Sequence, residues 1–226
     1  MRVVQCWDDG VSSDLQLVDI LHRHNAKSTF NLNPGLYGNQ RRAAWNYRGK
    51  ELVYLGWSEM AEVYAGFMIA NHTATHKRLT EEAPEAVRRE IRDGRARLQD
   101  FFGQPVDGFA YPFGVYNPEV MESVREAGHL YARTVVGVDH PFPPDDPMAF
   151  HPSCHVLADD FWARYERAKS GGVFYFWGHS FEFTSADQWA EFDAKIARIS
   201  SDPDTVWGNV ADLFIGTATF REAEEV

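Results

Sequence analysis

The residues with the most chemistry to offer stand near the start of the chain, where Trp7-Asp8-Asp9-Gly10 follows the apolar run Val3-Val4. Two adjacent carboxylates raise each other's cost of ionisation unless a cation intervenes. Candidate partners for such a cation come later, in Asn71-His72-Thr73-Ala74-Thr75-His76, where two imidazoles four positions apart could face one ion from a single helical turn. One aspartate and two histidines make a metal site, and the other aspartate is then free to act as a base. An Asp-Asp-Gly alone has the composition of a turn or a helix cap. The paired histidines turn the reading towards a metal.

The elements that must position these groups follow from the hydrophobic spacing. Residues 1–7 read as a strand, Ser12-Ser13-Asp14 as N-cap chemistry, and Leu15, Leu17, Val18 and Leu21 as one helix face ending at 22–25. A second strand at 27–32 completes a βαβ unit. Residues 35–57, glycines interleaved with Tyr37, Trp45, Tyr47, Tyr54 and Trp57, read as a long irregular loop. It forms either a substrate wall or a surface excursion whose aromatics pack on the fold. A helix at 58–64 and a strand at 67–70 deliver the histidine pair. The longest helical pattern spans 80–102, with Thr80 capping it, Gly103 stopping it and its arginines on a solvated face. Strands are expected at 106–111, 130–136, 150–156 and 173–177, helices from Asn117-Pro118 and at 158–169, 185–199 and 209–220, and a loop at 137–149. About seven βα units place parallel strands inside and helices outside, in one α/β domain over 1–226. Each reactive residue then follows a strand, on the face where a barrel keeps its active site.

Composition narrows the ligand. With 22 basic and 33 acidic residues the chain carries a formal charge of -11, which repels nucleic acid and anionic membranes and suits neutral or cationic ligands. The hydrophobic share of 44% builds a proper core. Cys6 and Cys154 lack any metal-knuckle or redox spacing and are expected as buried thiols. No apolar stretch has the length of a signal peptide or membrane helix, so a cytoplasmic protein is expected. Nothing in the sequence bears on oligomeric state. His151, Cys154 and His155 form a second cluster, read as a strand with alternating faces, one histidine reaching the pocket.

Taken in order, Trp7-Asp8-Asp9-Gly10, His72-Thr73-Ala74-Thr75-His76, Tyr111-Pro112-Phe113-Gly114 and Trp177-Gly178-His179 resemble the motifs of the polysaccharide deacetylase family, the NodB-like family 4 carbohydrate esterases. The resemblance runs over almost the whole chain. It implies a distorted (β/α)7 barrel and a metal-dependent hydrolase that removes acetyl groups from N-acetylated sugars or oligosaccharides. By the same resemblance Asp9, His72 and His76 are the metal ligands, leaving a position for water. Zinc fits, and cobalt, nickel or manganese would accept the same donors. Asp8 is implied as the base, the Phe113 backbone N–H as an oxyanion donor aimed by Pro112, and His179 as the acid that protonates the departing amine. Tyr111, Pro112 and Trp177 are implied at the substrate, Trp177 standing where the family commonly has leucine.

The sequence departs from the family at three places. The arginine that usually opens the third motif and steadies the catalytic aspartate is Ala110, and Arg133 on the next strand is the expected replacement. Asp139 is the stand-in partner for His179, and the glutamate often found ahead of the histidine pair is Met68. These departures leave two further readings beside sugar deacetylation: hydrolysis of a small non-sugar linear or cyclic amide, and a non-catalytic carbohydrate-binding protein.

Overall fold

The computed structural model describes residues 1–215. Along the chain the elements run β1 (Arg2–Asp8), α1 (Asp14–Arg23), β2 (Thr29–Leu32), β3 (Arg42–Tyr47), β4 (Lys50–Tyr54), α2 (Trp57–Val63), β5 (Met68–Asn71), α3 (Pro84–Phe102) and β6 (Gly108–Ala110). They continue with α4 (Pro118–Glu126), β7 (Tyr131–Arg133), β8 (Cys154–His155), α5 (Phe161–Gly171), β9 (Val173–Gly178), α6 (Ala186–Ser201), β10 (Val206–Trp207) and α7 (Asp212–Ile215). Seven strands form a parallel sheet in the order β7-β6-β5-β2-β1-β9-β8, and β10 pairs with the first residues of β1. One segment joins the two edges. The Phe150 N–H donates to Ala132 O at 2.9 Å beside β7, and the Ser153 N–H donates to Tyr175 O at 2.6 Å on β9. The sheet is thereby curled into the expected distorted seven-stranded barrel, and no described helix is long and apolar enough to cross a membrane.

Strand alternation decides what faces inward. Val3 and Trp7 of β1 pack with Leu17 and Leu21 of α1 and Phe192 of α6, whereas Val4 and Cys6 pack with Tyr131, Phe150 and Tyr175 inside the barrel. Continued upward, the same alternation turns Asp8, Asn31, Arg133 and Trp177 inward at the C-terminal ends of their strands. Both cysteines are buried free thiols.

Several boundaries differ from the sequence expectation for local reasons. The helix expected from 80 begins at Pro84, because the residue before a proline is driven out of the helical region, as the extended Ala83 shows (φ -65, ψ 148). Thr80 lies instead in a separate 3-10 turn, Leu79–Glu81. The Ser13 hydroxyl does not cap α1; it lies 2.8 Å from Ser180 Oγ. Of the helix expected at 209–220, α7 is the described part, and 216–220 lie outside the described residues.

The largest correction is at 35–57, where β3 and β4 make an antiparallel hairpin rather than an irregular loop. Its turn places Arg48 (φ 50) and Gly49 (φ 83) in the left-handed region, a position usually signalled by asparagine or aspartate. A register shift between Ala43 and Asn46 breaks the alternation that would have marked the strands. The segment divides between core and cavity: Tyr37 and Leu52 are buried in the core, while Trp45 and Tyr54 line the cavity described below.

Helix α3 lies against the loop that carries the histidines. Its Gly94 faces Asn71 and Thr73: a β-carbon there would stand 2.6 Å from Asn71 Oδ1 and 3.0 Å from Ala74 N. In an exposed helix, Gly→Ala gains about 1 kcal/mol. Here backbone has to move, so Gly94→Ala is expected to cost about 1–3 kcal/mol, a fall of about 3–10 °C in Tm on thermal unfolding.

Candidate active site

Asp8 ends β1 on its inner face. Its extended successor would point away from the barrel axis, yet Asp9 turns into the same cavity because Asp9 (φ 82) and Gly10 (φ 65) both adopt the left-handed region. The turn is held by the Asp9 N–H donating to Asn31 O at 3.1 Å and the Tyr37 hydroxyl donating to Asp9 O at 3.1 Å. A β-carbon on Gly10 would lie 2.6 Å from that hydroxyl, so only glycine fits.

His72 follows β5. Its Nδ1–H donates to Ala110 O at 2.7 Å, leaving Nε2 3.8 Å from Asp8 Oδ2 and 3.9 Å from Asp9 Oδ1. His76 Nε2 lies 3.6 Å from Asp9 Oδ1, and one donor atom each from Asp9, His72 and His76 fall within 4.8 Å of one another. The two histidines do not share a helical turn. They converge from a loop in which Thr73 (φ 66) and His76 (φ 56) have left-handed backbone. That loop is pinned to α3 through Ala74 N–H to Glu90 O at 2.9 Å and Thr75 N–H and Oγ1 to the Glu90 carboxylate at 2.8 and 2.6 Å.

Asp8 receives Asn31 Nδ2 on one oxygen at 2.7 Å and Arg133 Nη2 on the other at 2.5 Å. Arg133 is 1% exposed and Asp8 2%, so this is a buried pair rather than a surface one. Ala110 and Arg133 are register partners on adjacent strands. The arginine absent from the third motif is therefore supplied one strand over, with its guanidinium 4.5 Å above the Trp177 ring.

His179 leaves the end of β9 with Nε2 3.7 Å from Asp8 Oδ2 and 3.9 Å from Asp9 Oδ2. Asp139 is not its partner; it is exposed and pairs with Arg167 at 3.0 Å and Arg164 at 3.7 Å. Glu182 takes that place, because the 3-10 turn Ser180–Glu182 brings residue i+3 back onto the histidine. Glu182 Oε2 lies 3.2 Å from His179 Nδ1 in an ionic contact without aligned hydrogen-bond geometry, accepts the His179 N–H at 3.0 Å, and lies 2.9 Å from His155 Nε2. The spacing His-x-x-Glu, that of a capping box, was the available signal. Of the second cluster, His151 turns away to Thr134 and Cys154 is buried.

The turn Pro112–Gly114 places Phe113 at φ 60 and leaves the residue 54% exposed, its ring 4.7 Å from the His76 ring. Pro112 is buried and does not line the cavity; Tyr111 does, with its hydroxyl tied to Met148 O at 2.8 Å. The cavity measures about 690 Å³ and holds Asp8, Asp9, His72, His76, Arg133 and His179 together with Trp45 and Trp177.

A family profile described as polysaccharide deacetylase matches residues 1–132, more than half of the chain. The chain belongs to the polysaccharide deacetylase family. Enzymes of this family hydrolyse carbon–nitrogen bonds other than peptide bonds. The match covers the paired aspartates, the histidine pair and the Tyr-Pro-Phe-Gly turn, whereas Arg133, His179 and Glu182 lie past its end. No curated protein sequence matches the chain. Among solved structures, the family 4 esterase domain of a multidomain xylanase from the hindgut metagenome of Trinervitermes trinervoides is 17% identical, with 96% of this chain and 91% of that one aligned at a TM-score of 0.62. A family 4 carbohydrate esterase from Streptomyces lividans in complex with acetate is 15% identical over 92% and 91% of the two chains, TM-score 0.58. A family 4 pseudoenzyme from Bacillus anthracis is 14% identical over 94% and 65%, TM-score 0.59. At these identities the likeness is one of fold.

Electrostatics separate the two aspartates of this polysaccharide deacetylase family member. Burial pushes both carboxyls up, and for Asp9 it prevails. For Asp8 it is outweighed by Arg133, His72, His179 and the Asn31 hydrogen bond, which hold the group below the usual carboxylate range. Burial lowers His72 to about 3, the neutral state a ligating imidazole needs. Burial also opposes the charge on His179, but Glu182, Asp8 and Asp9 prevail and raise it to about 9. Behind this histidine, Ser180 Oγ donates to the buried Asp14 at 2.5 Å and the Tyr64 hydroxyl donates to its other oxygen at 2.6 Å.

Two outcomes follow from this geometry. Arg133→Met leaves Asp8 buried beside Asp9 without its countercharge, and is expected to cost about 3–5 kcal/mol in denaturant unfolding. Burial raises Asp14 from 3.8 to about 7, so the folded protein binds that proton more tightly than the unfolded chain. Stability from this group is complete below pH 3.8, declines as pH rises and is gone above about 7. The Tm of wild type relative to Asp14→Asn should therefore fall between pH 4 and 7 and level off above about 8 in a calorimetric pH series.

Proposed function

We propose that the protein is a metal-dependent amide hydrolase that removes acetyl groups from N-acetylated amines, with N-acetylated sugars or oligosaccharides as the reading inherited from its family. The observation that carries this is the convergence of Asp9, His72 and His76 donor atoms within 4.8 Å beside a second, separately anchored carboxylate. This donor set fits a divalent cation: the buried Asp9 carboxylate faces the Nε2 atoms of His72 and His76 at 3.9 and 3.6 Å, and His72 is oriented by a backbone carbonyl so that its free nitrogen faces the site. Zinc suits one carboxylate and two imidazoles, and cobalt, nickel or manganese accept the same ligands. Bound there, the cation would acidify a water and polarise the amide carbonyl.

The chain's own groups divide the remaining work. Asp8, kept ionised by Arg133 and held by Asn31, accepts the proton of the attacking water. The Phe113 N–H donates to the carbonyl oxygen as charge gathers there. His179 Nε2 gives its proton to the departing nitrogen, and Glu182 on the other side of the ring stabilises the imidazolium and fixes its orientation. Tyr111 and Trp177 line the space beside the reacting amide. The formal charge of -11 disfavours polyanionic substrates. A silent carbohydrate-binding role is the weaker reading, since every metal ligand and Asp8 are in place, although the fold also serves the Bacillus anthracis pseudoenzyme.

The reading is tested by metal content and turnover together. Asp8→Asn should retain one equivalent of metal by elemental analysis while kcat falls by about a thousandfold or more. Chelation should abolish wild-type activity, with recovery on adding back a divalent ion. Full activity in Asp8→Asn would remove the proposed base.

A further inference from the structure

The reaction centre accounts for every charged side chain in the cavity lining. What remains of the wall is largely apolar, namely Trp45, Tyr54, Phe113, Val135, Trp177 and Phe181, with the Tyr54 hydroxyl and two indole N–H groups as the polar atoms of those side chains, and the Trp177 N–H is itself buried. Among the described lining residues none is an Asn, Gln, Ser, Thr or Lys, and the only carboxylates are Asp8 and Asp9. The Tyr111 hydroxyl is already donated to Met148 O. A sugar hydroxyl that lost water against this wall would find little to replace it, whereas an apolar ring would lose nothing.

The aromatic part of the wall is a built structure. Trp45 of β3 meets Tyr54 of β4 with ring centroids 5.7 Å apart and Phe181 at 5.3 Å, and Tyr47 also packs on Phe181 at 4.9 Å. Phe181 in turn lies 4.9 Å from the His179 ring, and the Trp177 ring lies 5.5 Å from the same histidine. The hairpin thus extends the aromatic surface from its own strands to the histidine beside the reacting amide. Phe113 and Val135, 54% and 37% exposed, add further apolar lining.

Resting on the amide-hydrolase reading, we infer that the substrate class is a small neutral N-acyl amine carrying one apolar ring, seated against the aromatic wall that Trp45 supplies, rather than a polyhydroxylated saccharide. The cavity of about 690 Å³ accommodates such a molecule whole. Trp45 is the residue assigned to recognition of its ring.

The test measures acetate release by the zinc-loaded protein from N-acetylbenzylamine and N-acetylcyclohexylamine against N-acetylglucosamine and chitotetraose. All four release primary alkylamines, and the less basic sugar amine is the better leaving group, so any bias of amide reactivity runs against the expected result. The expected result is kcat/KM about tenfold or more in favour of the ring amides. Trp45→Ala should raise KM for those two about tenfold with kcat nearly unchanged, and Trp45→Phe should restore most of the loss. Saccharides hydrolysed as well as or better than ring amides overturn the substrate class and leave amide hydrolysis standing. Preference for ring amides with an unmoved KM in Trp45→Ala overturns the assignment to Trp45. No hydrolysis of any of the four by metal-loaded protein overturns both the inference and the reading beneath it.

Discussion

A carboxylate that must stay ionised without water around it depends on a countercharge delivered by the fold. The Asp8–Arg133 pair meets that need at a depth where both side chains are almost wholly buried. Burying such a pair is costly and is offset only when geometry and further hydrogen bonds are good. Asn31 satisfies the second oxygen of Asp8, and Trp177 lies beneath the guanidinium face. These residues come from β1, β2, β7 and β9, so the pair is assembled only when the barrel is. The geometry around Asp8 therefore depends on the closure of the sheet.

The site also concentrates unusual backbone. Of the six non-glycine residues with positive φ among those described, Asp9, Thr73, His76 and Phe113 belong to it. Each conformation costs of order 1 kcal/mol and persists only where surrounding contacts over-determine it. Here those contacts are specific: Tyr37 and Asn31 hold the Asp9 turn, and Glu90 and Gly94 of α3 hold the histidine loop. The long helix α3 thereby supports the histidine loop from behind while contributing no side chain to the cavity lining.

Much of this was legible in the sequence, because local patterns carry local information. The paired aspartates, the histidine pair and the alternation of strand with helix are short-range features, and the barrel and the candidate ligand set follow from them. The step that failed for His72 and His76 was the assumption of a helical turn, since left-handed backbone at threonine and histidine leaves no compositional mark. The β3–β4 hairpin escaped because a bulge interrupts its alternation and an arginine occupies its turn. Glu182 escaped although its spacing from His179 is local, because only the 3-10 turn brings it back onto the ring, whereas the expected Asp139 pairs with Arg167. The contact of Arg133 with Asp8 was anticipated, but its burial and its registration with Ala110 are properties of the assembled sheet.

That registration has a consequence for how such proteins are compared. Parallel strands lie about 4.8 Å apart, less than the reach of an arginine side chain, so a charge at one spot in the barrel can be furnished from either of two rungs. A signature written along the polypeptide records only one of them. Ala110 reads as a lost function in linear text, yet in space the cation has merely changed strands. The natural coordinate for this part of the site is the ladder, read across the strands.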